Sequence, residues 1–223
     1  MSYGKMFSLM KMAADQEWQA YTKHEFISQL SSGKLPEEKF FNYLIQDYLF
    51  LIQFSKAWAL AVAKADNLEE MKLCAGTLNG LINFEIDSHI KLCASYGIPQ
   101  SQIENADEKH NNIAYTRYVL ESGYSGDFLD LITPLIPCVL GYAEIGKNIA
   151  HCKPENQMYQ AWIDTYSGTE YQSLSRDVGA LFDNSVDLRL GMHFEDSYKW
   201  ASLKKKFSKA TALEIDFWEM ALR

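Results

Sequence analysis

The sequence predicts an all-α fold, a helical bundle forming a single domain over residues 1–223. Three observations predict it. Apolar residues recur at helical spacing along nearly the whole chain, with no convincing run of strand alternation. The breaks between periodic segments are short, and no repeat, low-complexity tract or Pro/Ser-rich linker divides them. Hydrophobic residues make up 48% of 223, enough for one sizeable core and too many for a disordered chain.

The elements follow in order. A first helix is predicted over about residues 4–31, bent around Thr22 to His24 and ended by Ser31-Ser32-Gly33. Pro36 suits the first turn of a second helix, about 36–64. Asp66 with Glu69 has the spacing of a capping box and opens a third, ending near Gly97. Residues 99–112 read as a polar connection and about 113–122 as a fourth helix. Gly123 and Gly126 bracket a turn into a fifth, about 127–152. A sixth covers about 156–166. Ser167 and Glu170 repeat the capping pattern before a seventh, about 169–187, and a last helix covers about 195–221. The helices at 36–64 and 127–152 are apolar on most faces and belong in the middle of the bundle.

Composition narrows the function classes. The net charge is 21 − 29 = −8, with no basic run, which argues against nucleic acid and anionic membranes as partners. No apolar stretch is expected to be long enough and free enough of charge to span a bilayer. Residues 1–12 do not read as a signal peptide. Four cysteines, Cys74, Cys93, Cys138 and Cys152, are too few and too far apart for a disulfide framework. They read as reduced thiols of a cytoplasmic protein. None forms a CxxC pair, and there is no HExxH, paired Glu-x-x-His, Gly-rich phosphate loop or GxSxG elbow. No metal and no cofactor is expected.

A few residues carry chemistry. Cys138 follows Pro137 in an apolar helical stretch, and Tyr142 follows it by one turn, so thiol and phenol share a face. Asp47 lies among Tyr43, Leu44, Ile45, Tyr48 and Leu49. A buried carboxylate there needs a partner, either a group on a neighbouring helix or the amine or ring N–H of a ligand. Phe50 and Phe54 follow at helical spacing. Glu214, one turn before Trp218, is a candidate acid with a pKa raised by apolar surroundings. Glu85 and His89 lie four apart and read as a hydrogen-bonded pair rather than a metal site. Tyr115 and Tyr166 stand beside helix breaks. Spacing alone reaches a helical bundle with a thiol–carboxylate pocket.

Several segments together go further. They are Gly33-Lys34-Leu35-Pro36 with Phe40 and Gln46-Asp47-Tyr48, then Glu85 and His89, then Ala114-Tyr115-Thr116. Next come Ile136-Pro137-Cys138 with Gly141-Tyr142-Ala143-Glu144-Ile145-Gly146, Trp162-Ile163-Asp164-Thr165-Tyr166, and Glu214 with Phe217-Trp218-Glu219-Met220-Ala221. In order and spacing they resemble the TenA/thiaminase II family over most of the chain. The resemblance implies a haem-oxygenase-like bundle, a homotetramer, and no haem or metal. It implies hydrolysis of 4-amino-5-aminomethyl-2-methylpyrimidine to the hydroxymethyl pyrimidine, and of thiamine, in pyrimidine salvage. By resemblance Cys138 is the nucleophile, Glu214 the proton donor and Asp47 the holder of the pyrimidine's polar edge. Tyr142, Tyr166, Tyr115 and Phe50 line the pocket. The chain departs from the family at Leu140, where many members have tryptophan, at Phe50, a tyrosine in some, and at its end, Leu222-Arg223. Two alternatives on the same scaffold are a haem-binding protein or oxidase using His24 and a non-enzymatic regulator.

Overall fold

The computed structural model describes residues 3–223, and among these the chain is helical with no strand. Residues 1 and 2 of the expected domain lie outside the described residues. The predicted first helix is three: α1 (Lys5–Ala13), α2 (Asp15–Thr22) and α3 (Glu25–Ser31). The additional break falls at Ala14, with φ −121° and ψ 33°. Phe7 and Trp18 would stand about 16 Å apart along a straight helix. The turn brings their rings edge to face at 5.2 Å. The second break is at the expected place. His24 caps α3, accepting from Phe26 N–H at Nδ1 (3.2 Å), and its Nε2 meets Glu219 at 3.2 Å. Gly33 closes α3 at φ +72°, where other residues are strained, and Lys34 N–H donates to Gln29 O at 2.8 Å.

After Pro36 comes α4 (Glu37–Lys64). The long third helix is α5 (Leu68–Gly80), a π turn (Leu81–Glu85) and α6 (Ile86–Ser95). Its cap lies one residue later than predicted: Asn67 Oδ1 accepts from Glu70 N–H (2.9 Å), and Glu70 Oε2 accepts from Asp66 N–H (3.0 Å). The polar connection contains a short helix, α7 (Gln100–Glu104), docked by fully buried Ile103. Next, α8 (His110–Ser125) continues through Gly123, predicted as a turn; that residue is packed between Leu60 and Leu131 inside the helix.

A capping box, Asp127 with Asp130 (3.0 and 2.9 Å), starts α9 (Phe128–Ile149). Then come α10 (Gln157–Ser167), α11 (Thr169–Leu190), a 3₁₀ turn (Phe194–Asp196) and α12 (Tyr198–Leu222). The predicted Ser167–Glu170 cap is not made, because Gly168 takes the N-cap position and offers no side chain. The last helix starts later than predicted, at Ser197, whose Oγ accepts from Trp200 N–H at 3.0 Å.

The central helix is α9, packed against α2, α4, α8, α10, α11 and α12. It corrects one expectation. With a mean hydropathy of 1.5 over its apolar window, α9 is long and apolar enough to cross a bilayer, yet 89% of that window is buried inside the bundle. Its apolar surface is satisfied by the neighbouring helices.

Candidate active site

Along α9, from Phe128 to Ala143, Cys138 alone is not buried. Its side chain faces a small internal cavity of about 20 Å³, lined also by Asp47, Phe50, Glu85, Tyr142 and Tyr166. That is room for about one water. Seven residues, among them Asp47, Thr77, Glu85, Tyr166 and Tyr171, also line a larger cavity of about 710 Å³ leading outward. Inner chamber and vestibule are therefore adjacent. The vestibule adds Tyr43, Phe84, Trp162 and the acids Asp164 and Glu170.

Each wall has a local cause. Gly141, one turn after Cys138, leaves space for the Tyr21 ring, which any Cβ there would strike. Gly146 lets α9 approach the backbone of Tyr166 so closely that a Cβ would fall 2.5 Å from its carbonyl carbon. Tyr166 is thereby set against Tyr142, edge to face at 4.8 Å, and against Trp162 at 4.6 Å. Tyr171 closes the same cluster at 4.8 Å and donates its O–H to Val139 O at 3.2 Å. Trp162 N–H donates to the Tyr43 hydroxyl at 3.1 Å.

Of the seven residues predicted from sequence, five line the inner chamber: Cys138, Asp47, Phe50, Tyr142 and Tyr166. Glu214 and Tyr115 are not among its lining residues, though the Glu214 charge acts on Cys138. Glu214 is 2% exposed, and Tyr115 O–H donates to its Oε1 at 2.7 Å. The Tyr21 hydroxyl, 3.4 Å from Pro137 O, also hydrogen-bonds this carboxyl. Phe50 packs on Tyr115 at 5.2 Å.

Electrostatically the site gathers acids, with no Lys or Arg among the described residues that line it. Burial pushes the Glu214 carboxyl up to about 8, against the opposing effect of the Tyr115 and Tyr21 hydrogen bonds. Burial raises Glu85 to about 7. Asp47 is raised well above the usual carboxylate range by burial and then by the Glu85 charge. The Cys138 thiol is pushed well up, first by burial and then by the charges of Glu214, Glu85 and Asp47. Near neutral pH the thiol is protonated, and so, largely, is Glu214.

One prediction about pairing is corrected here. His89 does not pair with Glu85. Its Nε2 lies 2.6 Å from Leu44 O and its Nδ1 3.5 Å from Asp47. Burial pushes His89 down and Asp47 up, favouring the uncharged form of each. With Nε2–H donating to the carbonyl, Nδ1 is left as an acceptor facing Asp47. Glu85 is thereby released to the cavity. Sequence reasoning also missed Tyr171, Tyr43 and Tyr21. For Glu85 the available signal was a carboxylate within the otherwise apolar run Leu81-Ile82-Asn83-Phe84-Glu85-Ile86.

His24 lies away from both cavities, engaged with Glu219 and the backbone of α3.

A helical bundle around a cavity with one thiol and several buried acids has counterparts among known proteins. The TENA/THI-4/PQQC family model matches residues 12–223, and the chain belongs to that family. A Helicobacter pylori protein named aminopyrimidine aminohydrolase is 30% identical over 210 residues, covering 93% of this chain and 94% of that protein. A crystal structure from Silicibacter sp. TM1040, described as a TenA family transcription regulator, is 48% identical, with a TM-score of 0.96 over 99% of this chain and 97% of that one. A Shewanella denitrificans domain with a heme oxygenase-like fold, 12% identical, superimposes with a TM-score of 0.73 over 99% of this chain and 93% of that one, a likeness of fold alone.

Proposed function

We propose that the chain is an aminopyrimidine aminohydrolase, a hydrolase of thiamine-pyrimidine salvage. It would convert 4-amino-5-aminomethyl-2-methylpyrimidine to the hydroxymethyl pyrimidine and cleave thiamine at the same methylene. The single observation that carries this reading is the half-buried Cys138 thiol opening into an aromatic chamber beside acids held near neutrality. The relatives named for this activity support it.

A neutral pyrimidine resists nucleophiles until a ring nitrogen takes a proton. Glu214, protonated near pH 7 and braced by Tyr115, is suited to give it. Sulfur then adds to the ring carbon, and the thiol's proton passes to the carboxylate just formed. The dearomatised adduct expels the substituent on the exocyclic methylene. Water adds there, the ring nitrogen returns its proton and the sulfur leaves. Asp47 would hold the amino edge, and Tyr142 and Tyr166 would line the ring's pocket.

The functional unit in this reading is a cytoplasmic homotetramer built from one domain per chain. All four cysteines are free, in keeping with a reducing compartment. Phe84, 67% exposed at the vestibule, and neighbouring Ile82 offer apolar surface for association. A regulator acting on DNA is disfavoured by the charge of −8.

The test is an assay of purified protein with the aminomethyl pyrimidine, its N-formyl derivative and thiamine, alongside Cys138→Ser. We expect hydrolysis by the native protein and none by the folded variant. Native-like turnover by Cys138→Ser would overturn the covalent route.

A further inference from the structure

Glu85 is the one acid of the site that the proposed reaction leaves without a task. It ends the π turn of residues 81–85, a local widening of the helix that displaces side chains from α-helical register and recurs at functional sites. Asp47 has Tyr43 and His89 beside it, and Glu214 has Tyr115 and Tyr21. The Glu85 carboxylate has no side-chain hydrogen bond or ion pair among the described residues. It lines both the chamber that holds Cys138 and the vestibule, so it stands where the two cavities adjoin. With the ring entering from the vestibule to reach Cys138, the group leaving from the methylene departs past Glu85.

We infer that Glu85 is the general acid that delivers a proton to the departing amine and then recovers it from the incoming water. The inference rests on the hydrolase reading above. In the adduct, the bond between the exocyclic methylene and the amino nitrogen breaks, and the bonding pair leaves with nitrogen. An amide anion is too basic to leave, so nitrogen takes the Glu85 proton and departs as ammonia. Water then adds to the methylene carbon and gives one proton to the Glu85 carboxylate. One proton leaves with ammonia and one returns from water, so the balance closes. An amine arriving as ammonium beside ionised Glu85 carries the same protons. A carboxyl lifted to about 7 by burial is suited to both transfers.

Thiamine separates this role from a structural one. Its thiazolium nitrogen already carries the positive charge and leaves as neutral thiazole with no proton required. Only the water step then needs Glu85. The experiment is kcat for the native protein, Glu85→Gln and Glu85→Asp on both substrates, with folding checked by circular dichroism. We expect Glu85→Gln to lose about 10²–10³-fold on the aminomethyl pyrimidine and no more than about 10-fold on thiamine. Glu85→Asp, which keeps an acid, should recover part of the amine activity. Equal losses on both substrates, or undiminished amine turnover in Glu85→Gln, would overturn the role. A native protein that cleaves thiamine but not the amine would overturn it while leaving the hydrolase reading intact. A native protein that acts on neither would overturn the hydrolase reading itself.

Discussion

Two buried glutamates in this molecule have opposite surroundings. Glu70 is 4% exposed, at the junction of α5 and α11. Arg189 grips it with two nitrogens at 2.6 and 2.8 Å, and Ser185 O–H adds a bond at 2.8 Å. Although burial opposes it, these partners hold its carboxyl below the usual value. Glu214 is 2% exposed and receives hydroxyls but no cation, so burial carries it up to about 8. The first acid joins helices and stays charged. The second stays protonated at neutral pH and is available for proton transfer. Burial alone does not separate structural from chemical acids; the presence or absence of a cation does.

The sharpest way to break this comparison is to exchange each acid's protonation. Glu214→Gln keeps the shape and the Tyr115 bond but cannot transfer a proton. We expect kcat on the aminomethyl pyrimidine to fall about 10²–10⁴-fold with the fold retained. Turnover within a few-fold of native would remove Glu214 from the chemistry. The counterpart is Arg189→Ala, which leaves Glu70 buried without its cation. Urea unfolding should show a loss of about 3 kcal/mol, while kcat measured well below the melting point stays near native. A large kcat loss without destabilisation would erase the distinction.

A smaller effect is expected at Gly141→Ala. The new methyl displaces Tyr21 from the Glu214 carboxyl, and overpacking of this kind costs about 1–3 kcal/mol. Thermal melting should drop by several degrees, and a melting point equal to native would show that the Tyr21 ring yields freely.

The smallest effect is in the pH dependence of stability, and its sign differs between the two acids. Glu214 and Glu85 have folded-state values above their unfolded ones. Their contribution is complete below the ordinary glutamate range and is lost as pH rises through about 7 and 8. Glu70, held low, contributes above the ordinary range and loses that contribution as pH falls through its folded value. Between pH 6 and 9 the native protein should therefore lose stability in urea titrations, and Glu214→Gln should lose less. Identical slopes for the two would contradict the assignment.

How much of this was legible beforehand depends on the kind of signal. Period gave the helices, and the apolar faces of residues 36–64 and 127–152 placed α4 and α9 inside. Motif order drew attention to Cys138, Glu214 and Asp47. Features set by tertiary contact were not legible. The break at Ala14 exists because Phe7 and Trp18 pack together across it. The π turn at residues 81–85 shifts the register that a 3.6-residue period assumes, so Glu85 and His89, four apart, face different partners. Tyr21 reaches Glu214 from a helix remote in sequence, and only the bare Cα of Gly141 hints at it.

The central claim is that the Cys138 thiol and the Glu214 carboxyl act on one another. It is tested most directly by the pH dependence of Cys138 alkylation, read by peptide mass spectrometry, in native protein and in Glu214→Gln. Removing the carboxylate charge should lower the thiol's apparent pKa and speed its alkylation above pH 8. Superimposable profiles for the two proteins would contradict the coupling, and with it the mechanism built on it.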